Sequence, residues 1–199
     1  MKIISQKKKS VLSFIYLNGV LFMNFRILSI LAMTISATLF TACEKSYTCQ
    51  YDENKQTLAC VEKTYKTVKI GEKTWLAENL NRIDIAGASN FCYNDDIQKC
   101  KQYGSLYPYE AAVRICPDGW TLPSQKDFEE AVQATERLAI QKAGFRYYDG
   151  KSADEGISAS FWTSDSFDDS RAVMVRVAES IAYEHFNKNI AASVRCVKK

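Results

Sequence analysis

The sequence predicts an α+β domain: two short helices early, a twisted antiparallel sheet late, and disulfides that staple the two together. Three observations predict it. Six cysteines (Cys49, Cys60, Cys92, Cys100, Cys116 and Cys196) follow an apolar leader, and an even number in an exported chain reads as a disulfide framework. Apolar residues recur at helical spacing between Pro108 and Leu138. From Ser160 onward, short β-branched and aromatic runs are separated by turn residues, as in strands.

The leader comes first. Residues 1–42 hold five of the 26 basic residues (Lys2, Lys7, Lys8, Lys9 and Arg26) and none of the 23 acidic ones. The remaining 157 residues therefore carry 21 basic against 23 acidic side chains, although the whole chain reads +3. The basic excess belongs to a targeting segment, and no basic stripe with interleaved aromatics follows it, so nucleic acid is set aside as a partner. Val11 to Phe22 is short for a membrane span, and Ile27 to Phe40 has the length of a signal-peptide core. Met23-Asn24-Phe25-Arg26 would serve as a complete n-region, so Met1 and Met23 both stay open as starts.

Leu39-Phe40-Thr41-Ala42-Cys43 resembles a bacterial lipobox, with Phe40 where Leu is most usual. That resemblance implies cleavage after Ala42 and lipidation of Cys43 by diacylglycerol and palmitate, which would hold the domain at a bilayer without a spanning helix. Glu44 resembles the sorting residue that favours the outer membrane. The expected organisation is a leader over 1–42, a lipidated polar tether with a small cysteine loop over 43–63, and one domain over 64–199.

Within the tether, Cys49 and Cys60 can close a loop around Asp52-Glu53-Asn54, and organised structure is expected from Thr64. Tyr65 to Ile70 alternates as a half-buried strand, Gly71-Glu72 suits a tight hairpin turn, and Lys73 to Leu76 returns. Asn79 to Lys101 reads as a long loop, with Cys92 and Cys100 flanking a turn at Asn94-Asp95-Asp96. Tyr109, Val113 and Cys116 share one face of a first helix. Ser124 caps a second, with Asp127 at the third position of a capping box and Phe128, Val132, Thr135 and Leu138 along its inner side. Ser160–Ser164 and Ala172–Val177 are joined by an acidic turn, and Ile181–Phe186 and Ser193–Val197 complete an antiparallel meander.

Several of these segments resemble a known family. Val68-Lys69-Ile70-Gly71-Glu72-Lys73-Thr74-Trp75-Leu76-Ala77-Glu78-Asn79-Leu80-Asn81 is similar to the opening motif of the Fibrobacter succinogenes major paralogous domain. Tyr103-Gly104-Ser105-Leu106-Tyr107 with Glu110-Ala111-Ala112 resembles its second motif, and Cys116-Pro117-Asp118-Gly119-Trp120-Thr121-Leu122-Pro123-Ser124 its third. Phe161-Trp162-Thr163-Ser164 and Ser193-Val194-Arg195-Cys196-Val197 resemble its closing pair. Thr121 and Pro108 depart from the family's usual His and Thr. The resemblance implies a cell-envelope lipoprotein or secreted module. It also implies a C-type lectin-like fold, shared with the formylglycine-generating enzyme, and with it a bridge from Cys116 to Cys196. That bridge would close about 80 residues and contribute about 4 to 5 kcal/mol in the chain-entropy model. The pairing Cys49–Cys60, Cys92–Cys100 and Cys116–Cys196 is expected, one of about 15 that six cysteines allow.

Candidate chemistry is sparse. Asp165, Asp168 and Asp169 could offer oxygens to calcium, as could Asn94, Asp95 and Asp96, but a solvated turn is the better reading of both. No C-x-x-C pair exists and His185 is the only histidine, so no metal and no cofactor is expected. The motifs Glu-Pro-Asn, Gln-Pro-Asp and Trp-Asn-Asp of calcium-dependent lectins are missing. Trp75, Trp120 and Trp162 sit beside Leu or Phe and are expected in the core. Tyr147, Tyr148 and Tyr183 are candidates for a contact surface. Ser180, five residues from His185, has no nucleophile elbow, so the chain is not expected to be an enzyme. The expected function is a lipid-anchored, non-catalytic envelope module that binds a protein or polysaccharide through its loops. The alternatives are an enzyme derived from the formylglycine-generating fold, which needs a free thiol, and a purely structural envelope protein.

Overall fold

Strands of only two or three residues carry too few side chains to show a period, and this chain uses many of them. A computed structural model describes residues 48–61, 63–82, 89–131 and 138–199. The leader, Cys43, Val132 and Thr135 lie outside the described residues. Six strands form the first sheet: β1 (Gln50–Asp52), β2 (Thr57–Ala59), β3 (Thr64–Ile70), β4 (Lys73–Leu76), β6 (Trp120–Thr121) and β13 (Val197–Lys198), in the order β1-β2-β3-β4-β13-β6. The second sheet holds β5 (Leu106–Pro108), β7 (Phe145–Arg146), β8 (Ser152–Ala153), β9 (Ala159–Ser166), β10 (Arg171–Val177), β11 (Ile181–Asn187) and β12 (Ala191–Ser193). Its order is β11-β10-β9-β12-β7-β8, with β5 on the side of β12. Three short helices accompany them among the described residues: α1 (Ile97–Tyr103), α2 (Tyr109–Ile115) and α3 (Gln125–Ala131).

The expected α+β, C-type lectin-like arrangement is therefore corrected. The protein is mostly β, with two curled sheets in place of one twisted sheet carrying two helices. The physical reason is non-local pairing. Trp120–Thr121 becomes a strand only because Val197–Lys198 lies beside it, and Leu106–Pro108 only because Ala191–Ser193 does. The closing meander is real for β9, β10 and β11, but Ser193–Val197 is not one strand. Its ends enter different sheets, β12 pairing parallel to β9 and β13 antiparallel to β4. Residues 50–59, read as tether, form a hairpin that extends the first sheet.

The helices also differ. In α2 the buried side chains are Tyr109, Ala111, Ala112 and Ile115, while Val113 is exposed. The small alanines let the helix lie close to the core, which a search for large apolar residues passes over. The helix α1 begins inside the expected long loop and runs past its end. Asp96 caps it by accepting from the Gln98 amide at 2.8 Å, and Gly104, at φ 81°, ends it. Cys100 is its one buried residue, so no apolar stripe announces it. The second expected helix starts as read, with the Ser124 and Asp127 side chains each accepting from the other's backbone amide, at 3.1 and 2.9 Å.

Both faces of the central strands are buried. Trp75 and Leu76, adjacent on β4, enter different apolar clusters, as do Phe161 and Trp162 on β9 and Cys196 and Val197 at β13. One cluster gathers Leu76, Tyr107, Ile115, Trp162 and Cys196, and the other Trp75, Phe128, Phe161, Val175 and Val197. All three tryptophans are core residues.

A polar knot crosses this apolar wall. Arg195, 1% exposed, donates to the Leu138 carbonyl and to Asn79 Oδ1, and reaches the Leu76 carbonyl at 3.5 Å. Asn79 in turn donates to the Tyr103 carbonyl at 2.8 Å and to Ser193 Oγ at 3.4 Å. Gly104 packs so closely here that a Cβ would lie 2.8 Å from Asn79 Cβ and from the Leu80 carbonyl. Burial pushes the Arg195 guanidinium down to about 9, against the pull of Glu78, which still leaves it charged at neutral pH. Replacing Arg195 with Met should leave the Asn79 and Leu138 oxygens buried without this donor. A loss of about 3 kcal/mol in urea denaturation is expected, and an unchanged midpoint would show that the knot contributes nothing.

Candidate binding surface

Three loops come together at one end of the second sheet. The first carries Phe91 to Ile97 and is closed by the Cys92–Cys100 disulfide. The second is the turn between β7 and β8, where the Gly150 amide donates to the Tyr147 carbonyl at 3.1 Å. The third runs from Asp154 to Ile157. Named contacts fix them to one another. The Asn94 amide donates to Ser152 Oγ at 2.9 Å, the Glu155 amide to the Tyr93 hydroxyl at 3.4 Å, and Arg146 faces Asp95 at 3.4 Å. Lys99 pairs with Glu155 and holds that carboxyl below its ordinary value. The Arg146 guanidinium also lies 4.1 Å over the Phe91 ring.

This end exposes large side chains. Tyr148 is 78% exposed and Tyr147 is exposed as well, its ring edge-on to Phe145 at 4.8 Å. Both are exposed because they stand in a tight turn, not in an extended strand whose neighbours would face opposite ways. Ile97 and Ile157 are exposed on the other two loops. Tyr183 does not belong with them. It is half-buried beside the second apolar cluster, and burial raises its phenol above the ordinary value.

Two of the three aspartates at the turn between β9 and β10 have their carboxylates engaged. Asp165 accepts from the Gln125 amide at 2.6 Å, at the start of α3. Asp168 accepts from Arg171 Nε at 2.8 Å and from the Ser170 and Arg171 amides at 2.9 and 2.7 Å. Asp95 likewise faces Arg146, and Asp96 caps α1. Among the described residues no group of three acidic, histidine or cysteine side chains is placed to hold a metal. The turn also does what the sequence did not announce. Phe167 lies back over the sheet and stacks on His185 at 3.7 Å, with the Arg171 guanidinium 4.8 Å from the same ring. The single histidine is thus part of an exposed aromatic cluster, and Ser180 sits in the turn before β11.

A third surface lies on the β1–β2–β3 ribbon. Across it Tyr51, Leu58 and Tyr65 oppose one another on the core face, while Gln50, Ala59 and Thr64, and then Asp52, Thr57 and Lys66, oppose on the outer face. That outer side borders a concavity of about 570 Å³, and the Cys49–Cys60 disulfide closes the ribbon's base. The remaining bridge is Cys116–Cys196, so the structure joins the same three pairs named above.

The side-chain bond from Arg171, with the turn's amides and Ser170, holds the Asp168 carboxyl well below the usual carboxylate range. A carboxyl lowered on folding stabilises the protein above its unfolded value of about 4 and loses that contribution as pH falls below it. Asp168→Asn should therefore melt lower than the wild type at pH 7, and the gap should close on acidification. A gap that is constant from pH 7 to pH 2 would contradict this.

Residues 68–139 match the family model described as the Fibrobacter succinogenes major domain. The match contains the first three motifs, and the closing pair lies beyond it. No curated protein matches the chain, and no solved structure does.

Proposed function

We propose that this chain, which carries the Fibrobacter succinogenes major domain at residues 68–139, is a lipid-anchored, non-catalytic module of the cell envelope that binds a protein or a polysaccharide through its loops. The observation that carries the reading is the loop cluster. Tyr147 and Tyr148 stand exposed on a turn whose neighbours are held by a disulfide, an ion pair and backbone hydrogen bonds. Tyrosines on a rigid base give large contact area at low entropic cost, which is how protein and sugar surfaces are commonly held. The competing enzyme reading requires a reactive thiol, and the six cysteines among the described residues are all bridged.

The anchor is read from the sequence: a short basic stretch, an apolar core and small residues ahead of Cys43. Outer-membrane placement follows from Glu44 by resemblance. With Cys43→Ser, labelled palmitate should no longer enter the protein and the mature form should leave the membrane fraction. Retention of label in that variant would end the lipoprotein reading.

Binding is tested on the full-length mature protein with glycan arrays and with pull-downs from envelope extracts. A specific partner is expected to bind at least tenfold more weakly to Tyr148→Ala, which touches no core residue. Blank arrays and blank pull-downs with correctly folded protein would favour a purely structural role.

A further inference from the structure

We infer that the concave outer face of the β1–β2–β3 ribbon is a second binding site, separate from the loops, and that it takes a neutral oligosaccharide. The ribbon has two unlike faces. Leu58 and Tyr65 are fully buried beneath it, so the scaffold fixes the strands from below. Above, the strands pair without a register shift over Gln50–Asp52, Thr57–Ala59 and the start of β3, and the Cys49–Cys60 bridge holds the two ends together. The concavity, about 570 Å³, is within the size of sites that hold small ligands, about 300–1,000 Å³.

Its lining selects the ligand. Gln50 offers a donor and an acceptor, Thr57 and Thr64 offer hydroxyls that do both, and Asp52 accepts. Tyr51 also borders the concavity, but its ring is half-buried edge-on against Trp120, and Ala59 is the one aliphatic side chain on this wall, so an apolar ligand would leave the polar groups unpaired at a cost of about 1–3 kcal/mol for each one buried. Charge narrows the class further. Asp52 and Lys55 form an ion pair at 2.9 Å, and Glu53 adds a further carboxylate to the lining. A lining with one carboxylate in excess disfavours an acidic glycan or a phosphate, whereas a polyhydroxylated neutral chain can use the donors and acceptors present. A protein partner is disfavoured for a related reason: the face lacks an exposed aromatic or aliphatic anchor around which such interfaces are built.

The test uses the full-length mature protein on an array that pairs neutral glycans with acidic ones, followed by titration with the best neutral hexasaccharide. Binding to neutral glycans is expected, weakened at least tenfold in Gln50→Ala and in the double variant Thr57→Val with Thr64→Val. Both variants alter exposed or half-exposed positions, and their thermal midpoints should match the wild type. Tyr148→Ala should bind the hexasaccharide as the wild type does. The inference is overturned if no neutral glycan binds, if acidic glycans bind as well, or if the ribbon variants bind unchanged. Neutral-glycan binding lost in Tyr148→Ala but kept in the ribbon variants would overturn this site while supporting the loops.

Discussion

The buried guanidinium of Arg195 is the group on which the two-sheet arrangement turns. A charged side chain 1% exposed is tolerable only if its hydrogen bonds are made, and here its acceptors come from two separate stretches of chain, Leu76 with Asn79 and Leu138. Asn79 then binds Tyr103 and Ser193. The end of β4, the end of α1, the segment at Leu138 and the link between β12 and β13 must therefore meet at one point. The Cys116–Cys196 disulfide, one residue beyond Arg195, adds a covalent tie between that point and the end of α2. Once these meet, β13 has no place except between β4 and β6, and β12 none except beside β9.

The same arrangement explains the double burial of the central strands. A sheet with a single core face alternates polar and apolar residues, but Ala159–Thr163 of β9 and Ala172–Val175 of β10 are buried without a break. Their successive side chains fill two clusters, and the short helices serve as lids, α2 over one and α3 over the other. This is why a helix as short as α2, seven residues, suffices. It covers what the sheets leave open and need not supply the core itself.

What could be read from the sequence follows from how local its causes are. The Gly71-Glu72 hairpin and the Ser124–Asp127 capping box are decided within four residues, and both stand as read. The three pairings of the cysteines also agree with the expectation, two of them because the partners are near in sequence. The class of fold was not legible, because β5, β6, β12 and β13 exist only through partners far along the chain. The inner face of α2 was misread because alanine packs without looking like a core residue. Of the surface residues, Tyr147 and Tyr148 were legible as candidates and are exposed, while Tyr183 is half-buried. Phe167 was not legible, since nothing local says that an aromatic in an acidic turn will fold back onto His185.

The motif residues themselves argue about where a ligand can be. Trp75, Asn79, Leu80, Gly104, Tyr107, Trp120, Trp162 and Arg195 carry the resemblance to the family, and each is spent on the core or on the knot. Those positions specify a scaffold, so the match to the family model leaves the ligand open. Surface chemistry sits mostly outside the matched residues: the β1–β2 ribbon precedes them, and the turns bearing Tyr147, Tyr148 and Phe167 follow them. A module built this way can change its partner without disturbing Arg195. Two members that share every motif could therefore bind different molecules, and similarity across residues 68–139 is a guide to architecture alone.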